Sequence, residues 1–273
     1  MSGLSREAIE RLGNPLAVRV DLHEEIGSTQ ERARALAHEG VPHGTIVVSR
    51  VQKGGRGRLR RRWGSPPGGL WMSLVLRPEI PTSLAPRITQ TAAVGVAKAL
   101  WAFGVEARIK WPNDLLVDGR KVCGILAESS SDNVPIAAKR VAGGESRSRL
   151  DFVVLGVGLN ANLDPADLEV PDREVATLRD ELGRDVNLLE LLDALLSSLD
   201  AELERIQDFA SVLDDCRALN CTLGNMVQVQ CFGEVLEGKA ADLTPEGALL
   251  LETTDGAIEV FEGEIEHLRR KGA

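Results

Sequence analysis

The sequence predicts an α+β fold, in which a mixed and largely antiparallel sheet is flanked by helices and followed by a small β-barrel. Apolar runs of strand length alternate with turn residues through the first half of the chain. Residues 83–103 carry apolar side chains at helical spacing. Between positions 226 and 268, five short alternating segments separated by glycine-rich turns are typical of an SH3-like barrel. We therefore divide the chain into a larger domain, residues 1–221, and a C-terminal barrel, residues 222–273.

The first strand is predicted at residues 17–25 and leads into a helix that begins at Ser28 and Thr29. Ser28 is a suitable N-cap, and Glu31 follows three residues later, as a capping box requires. The remaining predicted strands are 45–50, 70–77, 106–110, 114–117, 120–128 and 151–159, and the remaining predicted helices are 83–103, 187–207 and 209–219.

A tight hairpin is predicted between the strands at 114–117 and 120–128. Asp118 and Gly119 join them, and both residue types accept the positive φ angles of a two-residue turn. Residues 129–150 are small, polar and rich in glycine and serine, so we interpret them as a loop or a locally disordered insertion.

Composition restricts the class of protein and its compartment. The 273 residues contain no apolar run near the roughly 20 residues that a membrane-spanning helix needs. The N-terminal segment also lacks the pattern of a signal peptide, so we expect a cytoplasmic protein without a membrane partner. The net charge of −9 argues against general DNA binding, because neutralising phosphates requires an excess of lysine and arginine.

The cysteines predict no zinc site. Cys123, Cys216, Cys221 and Cys231 form no CxxC pair, and no histidine cluster lies near them. A disulfide between Cys216 and Cys221 stays open as an alternative, although reduced thiols are expected in a cytoplasmic chain.

A strongly basic loop interrupts the acidic chain at residues 50–62, RVQKGGRGRLRRR, with seven positive side chains and no negative one. Its three glycines allow the backbone to approach a ligand closely. Arg56 and Arg58 supply permanently charged donors for phosphate or carboxylate oxygens. The loop is not a P-loop, because no GK[ST] follows the glycines. The alternative is a solvated basic surface or a patch for an acidic partner.

A second candidate segment is KWPND, residues 110–114, followed by a hairpin. The proline keeps Trp111 extended, so a strand ends here in a fixed turn that presents Asn113 and Asp114 together. Asp114 is a candidate ligand for the Mg²⁺ of a nucleotide, and Lys121 can place its ammonium beside a phosphate or carboxylate. The alternative is that Asp114 caps the turn and the lysines face solvent.

A third segment, GVGLN at residues 156–160, ends a buried strand. Its glycines allow close packing against a flat ligand, and Asn160 can recognise an amide or a purine edge. The spacing is not that of a dinucleotide fingerprint, which needs GxGxxG between a strand and a helix.

The order and spacing of these segments resemble those of biotin protein ligases from about Ile26 to the C-terminus, apart from the 129–150 insertion. The residues that carry the resemblance are Ser28, Thr29, Gln52, Gly55, Arg56, Gly57, Arg58, Trp63, Lys110 through Asp114, Lys121, Gly124, Ile125, Leu126 and Gly156 through Asn160. The resemblance implies a catalytic domain similar to class II aminoacyl-tRNA synthetases.

It also implies two half-reactions. The biotin carboxylate attacks the α-phosphorus of ATP, with Mg²⁺, to give biotinyl-5′-AMP and pyrophosphate. A lysine of a biotin carboxyl carrier protein domain then attacks the mixed anhydride and releases AMP. No covalent enzyme nucleophile is needed, and Cys123 is expected to be a small core residue.

The resemblance assigns the candidate residues to three groups. Biotin-binding residues are expected to be Ser28, Thr29, Gln30, Gln52, Arg56, Gly57, Arg58, Lys121 and Gly124. Nucleotide-binding residues are expected to be Arg56, Arg58, Trp63, Lys110, Asn113 and Asn160. Catalytic residues are expected to be Lys121, Arg58 and Asp114, with Asp114 also the metal ligand.

The sequence departs from the family pattern at two positions. Gln30 stands where asparagine is common, which can displace a contact to the biotin ureido group, and Arg60 stands where many members have glycine. Only about twenty residues precede the first strand, so we expect the ligase-only form without an N-terminal DNA-binding domain. The sequence leaves a monomer and a homodimer both open.

Two rival functions remain at this level. A lipoate or octanoate ligase would share the chemistry but use a more apolar pocket, and it would not be expected to carry KWPND. A non-catalytic module would use the basic loop to dock on an acidic protein. The C-terminal barrel either buries one face of the catalytic domain or helps nucleotide or acceptor docking.

Overall fold

The fold is given by a computed structural model that describes residues 4–130, 150–168, 175–231 and 233–267. Its helices are α1 (Arg6–Glu10), α2 (Thr29–His38), α3 (Ala85–Ala102), α4 (Leu178–Leu182), α5 (Leu188–Glu204) and α6 (Phe209–Leu219). Its strands are β1 (Arg19–Ile26), β2 (Thr45–Gln52), β3 (Leu70–Leu76), β4 (Arg108–Lys110), β5 (Asp114–Val117), β6 (Arg120–Ser129), β7 (Val153–Leu159), β8 (Met226–Cys231), β9 (Glu234–Leu243), β10 (Leu249–Thr253), β11 (Gly256–Val260) and β12 (Glu264–His267).

The larger domain is built on a seven-stranded sheet with the order β1-β2-β3-β7-β6-β5-β4. Strands β1 and β2 run parallel, and all the other neighbours in this sheet are antiparallel. The prediction of a mixed, largely antiparallel sheet is therefore confirmed. The predicted hairpin is also present, because Asp118 and Gly119 both have positive φ between β5 and β6.

Helices cover both faces of this sheet because side chains alternate along each strand. On one face, Val47 of β2 and Val154 of β7 pack with Leu36 of α2 in a small apolar cluster. On the other face, their neighbours Ile46 and Leu155 join the large core that includes α3 and α5. None of the helices within the described ranges combines the length and apolar character needed to cross a lipid bilayer.

Helix α2 begins where the capping pattern predicts. Ser28 is its N-cap, and the Ser28 Oγ accepts a hydrogen bond from the Glu31 backbone N–H at 3.4 Å. This cap fixes the direction in which the chain leaves β1 and brings the first turn of α2 against the sheet. Thr29 and Gln30 are buried there. Two polar side chains are thus placed at the edge of the α2 cluster.

The C-terminal segment forms an antiparallel sheet of five strands with the order β11-β10-β9-β8-β12. Among the described residues, β11 and β12 are its two ends and do not pair with each other, so the predicted closure into an SH3-like barrel is not confirmed. A register shift in β10 between Leu250 and Leu251 bends the sheet locally. The sheet is fixed to the larger domain by polar contacts, such as the Trp111 Nε1 donation to the Gly247 carbonyl at 3.2 Å.

Element boundaries differ from the predictions by a few residues, and two short helices, α1 and α4, were not predicted. Each has a polar N-cap, Ser5 and Thr177, but too few residues to show a helical period. Of the expected insertion at 129–150, residues 131–149 lie outside the described residues.

The contact between α3 and α5 gives a test of this packing. A side chain at Gly95 would place its Cβ 3.2 Å from the Leu199 Cα, where the two helices approach closely. Gly95→Leu should therefore lower the free energy of unfolding by about 1–3 kcal/mol through overpacking, measured by chemical denaturation. Ala102→Leu, at an exposed position of the same helix, should change it by less than about 0.5 kcal/mol. Equal stability of both variants would contradict this packing.

Candidate active site

A cavity opens on the α2 face of the large sheet, beyond the N-terminus of that helix. All the site residues predicted from the sequence line it: Ser28, Thr29, Gln30, Gln52, Arg56, Gly57, Arg58, Trp63, Lys110, Asn113, Asp114, Lys121, Gly124 and Asn160. These residues are separated by up to 132 positions in the sequence, from residue 28 to residue 160, and meet because β7 lies between β3 and β6 in the sheet. The cavity is therefore a single candidate active site.

The floor of the cavity consists of backbone. Gly124 of β6 and Gly158 of β7 are direct partners in the antiparallel register. A Cβ atom at Gly124 would lie 2.9 Å from the Trp63 ring, and one at Gly158 would lie 2.5 Å from the Trp63 Nε1. Any side chain at either position would collide with this indole. Both positions therefore require glycine, because the Trp63 indole lies close to the backbone there.

The deep end of the cavity holds a buried hydrogen-bond network. The Gln52 Oε1 accepts from the Thr29 backbone N–H at 2.8 Å and lies 3.0 Å from the Thr29 hydroxyl. The Thr29 hydroxyl is in turn 2.9 Å from the Ser73 hydroxyl. The Gln52 Nε2 donates to the Ser65 Oγ at 2.8 Å, which ties the network to the end of the basic loop. Such groups are costly to bury unless they are paired.

Gln30 forms the other arm of this network. Its Nε2 donates to the Val154 carbonyl and to the Glu128 Oε2, each at 3.1 Å. Its Oε1 accepts from the Ser73 Oγ at 3.0 Å. The amide also lies over Gly156, where a Cβ atom would be 2.5 Å from the Gln30 Oε1. The longer side chain of glutamine is thus accommodated above a glycine and held by acceptors at one end.

The basic loop folds back on itself across the cavity. The Gly57 N–H donates to the Arg61 carbonyl at 2.8 Å, and the Trp63 N–H donates to the Gly55 carbonyl at 2.9 Å. Leu59 lies at the tip with a φ of 54° and its side chain 61% exposed. A non-glycine residue in this left-handed conformation is unfavourable by about 1 kcal/mol or more. Leu59 is therefore an exposed residue in an unfavourable backbone conformation at the loop tip.

Arginines attach the loop to neighbouring elements. Arg58 donates to the Asn113 Oδ1 at 3.0 Å and to the Gly263 carbonyl at 3.3 Å. Its guanidinium also lies 3.5 Å from the Glu262 carboxylate. Arg61 pairs with the Glu264 carboxylate. The C-terminal sheet thus contributes to the wall of the cavity and neutralises part of the loop charge.

Trp63 occupies the middle of the cavity. Its indole makes an edge contact with Trp71, with ring centroids 6.4 Å apart, and the Lys121 Nζ lies 5.0 Å from its ring centroid, within cation–π range. Its Nε1 is buried and has no hydrogen-bond partner among the described residues. The indole covers Gly124, one of the residues expected to bind biotin.

The KWPND turn presents its polar residues as predicted. The Trp111–Pro112 peptide is cis, and the Trp111 N–H donates to the Thr222 hydroxyl at 3.1 Å. Asp114 forms an ion pair with Lys121 across the β5–β6 pair, with the Lys121 Nζ 2.6 Å from the Asp114 Oδ1. Both side chains are mostly buried, with 18% and 21% of their area exposed. Asp114 therefore does more than cap a turn, since it holds the ammonium at the cavity.

Asn160 directly follows β7, and its side-chain amide is buried in the domain. The Asn160 Nδ2 donates to the Lys121 and Ala176 carbonyls, each at 3.2 Å. The Asn160 Oδ1 is buried and has no partner among the described residues. Because an unpaired buried acceptor is unfavourable, this oxygen is suited to receive a donor from a ligand in the cavity.

Among the described residues, no cysteine lines the cavity and no preformed metal cage is present. Cys123 is fully buried in the core, and burial raises the pKa of its thiol well above the usual range. The prediction that Cys123 is a core residue is therefore confirmed. Within the described ranges, no group of three or more His, Cys, Asp or Glu side chains could hold a metal ion. A single carboxylate such as that of Asp114 fits an ion that is coordinated mainly by phosphates, as Mg²⁺ usually is.

Several lining residues were not predicted from the sequence: Leu59, Arg61, Arg62, Gly64, Met72, Ser73, Leu168, Val175, Gly263, Glu264 and Ile265. Ser73 left one signal, since it is the single polar residue in the strand LWMSLVL. The C-terminal residues left none, because only the packing of the two sheets brings them to the cavity.

Comparisons with known proteins identify relatives of this chain. Residues 23–141 match the biotin/lipoate A/B protein ligase family, and residues 222–268 match the biotin protein ligase C-terminal domain. The chain is 33% identical over 254 residues to the bifunctional ligase/repressor BirA of Bacillus subtilis, covering 89% of this chain and 72% of the relative. It is 32% identical over 247 residues to the biotin–[acetyl-CoA-carboxylase] ligase of Paracoccus denitrificans, covering 86% and 97%.

A solved structure gives the same result. The biotin protein ligase from Aquifex aeolicus, in complex with biotin and ATP, superposes with a TM-score of 0.74 and 27% identity, covering 92% of this chain and 99% of that one. The alignment thus extends over both the large sheet and the C-terminal sheet. On these sequence and structural matches, the chain belongs to the biotin/lipoate A/B protein ligase family, among its biotin protein ligases.

Proposed function

We propose that the chain is an ATP-dependent biotin protein ligase that forms biotinyl-5′-AMP and transfers biotin to a lysine of a biotin carboxyl carrier protein domain. The observation that carries this proposal is one cavity lined both by a buried polar network and by the cationic side chains of Lys121 and Arg58. The reaction joins two anions, a carboxylate and a triphosphate. Cations fixed near the reacting atoms offset their repulsion and the charge that develops on pyrophosphate.

The ring of biotin is assigned to the deep end of the cavity. Thr29, Gln30 and Gln52 present amide and hydroxyl groups there, and the ureido group of biotin has both donors and an acceptor. Ser28 lines the same end. The carboxylate tail would then run over Gly124 toward Lys121. A lipoyl ring has no groups that pair with such a network, which favours biotin over lipoate.

The nucleotide is assigned to the other side of Lys121. The unpaired Asn160 Oδ1 is suited to accept from the exocyclic amine of adenine, and Trp63 offers a flat surface for the base. Lys110 and Asn113 lie on this side, near the phosphates. Since the Trp63 indole now covers Gly124, it has to move off that glycine for a biotin tail to pass.

In the first half-reaction, a biotin carboxylate oxygen bonds to the α-phosphorus and the bond to pyrophosphate breaks. Lys121 is already held at the cavity by Asp114, so its ammonium can bridge the carboxylate and the α-phosphoryl oxygens. Arg56 and Arg58 complete the positive surroundings from the loop. Asp114 is the group we assign to Mg²⁺ bound on ATP, where the ion would neutralise phosphate charge.

In the second half-reaction, the neutral amine of the acceptor lysine attacks the acyl carbon and AMP leaves. The loop that covers the cavity keeps water from the mixed anhydride until the acceptor arrives. Residues 1–221 would carry both steps, and residues 222–273 would support them through the contacts to Arg58 and Arg61. We assign the acceptor domain to a carboxylase in the cytoplasm. We also propose that the C-terminal strands close into an SH3-like barrel.

The first test replaces Lys121. In Lys121→Ala, the biotin-dependent exchange of labelled pyrophosphate into ATP should fall by about a hundredfold or more, because one preorganised donor to the transition state is lost. Lys239→Ala, at an exposed lysine of β9, should exchange like the wild type. Full exchange activity in Lys121→Ala would remove this residue from the reacting centre.

If the wild type exchanges pyrophosphate with lipoate or octanoate but not with biotin, the substrate assignment is wrong. Silence with all three acids would favour a non-catalytic binding module.

The second test concerns retention of the intermediate. Arg58→Gly should release biotinyl-5′-AMP and raise biotinylation of bystander lysines by about tenfold, because the loop loses its contacts to Asn113 and Gly263. The released adenylate is measured by chromatography and the bystander modification by blotting for biotin. Arg184→Gly, at an exposed arginine between α4 and α5, is the control. Retention equal to that of the wild type would show that Arg58 does not hold the loop closed.

A further inference from the structure

The hydrogen-bond network at the deep end of the cavity has one hydrogen fewer than its oxygen–oxygen contacts need. Three oxygen pairs lie within hydrogen-bond distance: Thr29 Oγ1 with Gln52 Oε1 at 3.0 Å, Thr29 Oγ1 with Ser73 Oγ at 2.9 Å, and Ser73 Oγ with Gln30 Oε1 at 3.0 Å. Each pair needs a hydrogen between its oxygens. The two hydroxyls of Thr29 and Ser73 supply one hydrogen each. Whichever way the hydroxyls rotate, one pair is left without a hydrogen.

The two amides cannot supply the missing hydrogen by turning over. The Gln52 Oε1 accepts from the Thr29 backbone N–H at 2.8 Å, so a reversed amide would place two donors against each other. The Gln30 Nε2 faces the Val154 carbonyl and the Glu128 carboxylate, so its reversal would place oxygen against oxygen. Both amide oxygens are therefore fixed toward the two hydroxyls.

We propose that Ser73 is a specificity-determining residue, which holds Thr29 and Gln30 as an acceptor surface for the N–H groups of a cyclic urea. This inference rests on the proposed placement of the biotin ring at this end of the cavity. A ureido N–H can donate to the oxygen that neither hydroxyl reaches, and a ring of carbon and sulfur, such as the dithiolane of lipoate, has no such donor. Sites whose buried polar groups are left unpaired reject such a ligand strongly.

The position of Ser73 makes its hydroxyl testable. The side chain is fully buried, and in the sheet register it pairs with Gly156, the glycine under the Gln30 amide. Replacing serine by alanine removes one oxygen and leaves the rest of the packing in place. Ser49 is a matched control, since it is also buried, lies on the adjacent strand β2 and donates to the Val51 carbonyl at 2.7 Å, outside the residues that line the cavity.

The experiment compares ligand binding to the full chain by calorimetry. In Ser73→Ala, the Kd of biotin and of desthiobiotin, which keeps the urea but lacks the sulfur, should rise about tenfold. The Kd of lipoate, which has no urea, should not rise, so the preference for biotin over lipoate should fall by about the same tenfold. Ser49→Ala should bind all three ligands like the wild type.

A purely structural role for Ser73 predicts another pattern. Ser73→Ala would then lower the melting temperature, as Ser49→Ala would, and the preference for biotin over lipoate would not change. That result would overturn the inference. Ser73→Cys keeps a side chain of similar size with a weaker donor, so an intermediate Kd supports the inference and serves where Ser73→Ala does not fold. Wild-type protein without biotin-dependent exchange would overturn the proposed function itself. Exchange in the wild type with undiminished biotin affinity in Ser73→Ala would overturn only the role of Ser73.

Discussion

The close approach of other groups to bare backbone on β6 and β7 is the constraint on which the site depends. Gly124, Gly156 and Gly158 leave the α2 face of the sheet without side chains where two strands are paired. The Trp63 indole and the Gln30 amide fill the space directly above them. A sheet surface is normally covered by its own side chains, and here it is covered by side chains from other elements, which line the cavity. The strands flanking this opening stay apolar and buried, so the cavity has a rigid floor.

Different chemistry is attached to the two ends of this floor. The end near α2 has neutral groups in a buried network, where hydrogen bonds select a ligand by its donors and acceptors. The other end has cations and the Asp114–Lys121 pair, where charge matters more than shape. A ligand with a polar ring, an apolar tail and a carboxylate matches both ends in order. This arrangement separates recognition of the ring from activation of the carboxylate.

The basic loop connects these two ends to the C-terminal sheet. It is held by polar contacts of Arg58 and Arg61 and by few apolar ones, with Leu59 exposed at its tip. These ion pairs are partly exposed, so solvent screens them and each contributes a modest free energy. A triphosphate could therefore compete with Glu262 and Glu264 for the arginines. The cost of opening and closing the loop is small for this reason, while the sheets under it remain fixed.

Several local features follow directly from short stretches of the amino-acid sequence. The Ser28 cap, the Asp118–Gly119 turn and the apolar period of α3 depend on neighbouring residues, so they could be predicted from short windows. The glycine and KWPND motifs also indicated the site, because their order and spacing together resemble those of biotin protein ligases. Short helices such as α4 escaped, since five residues do not complete a recognisable period.

The tertiary structure alone decided which of these features meet. Ser73 joins Thr29 and Gln30 across more than forty positions, and Gly263 reaches Arg58 across about two hundred. Such contacts depend on strand order and register. A one-residue shift in register would turn every side chain of a strand to the other face of the sheet. The edges of the C-terminal sheet are likewise set by long-range pairing. Residue types and local order are thus properties of the chain, and the hydrogen-bond partners of the site are properties of the fold.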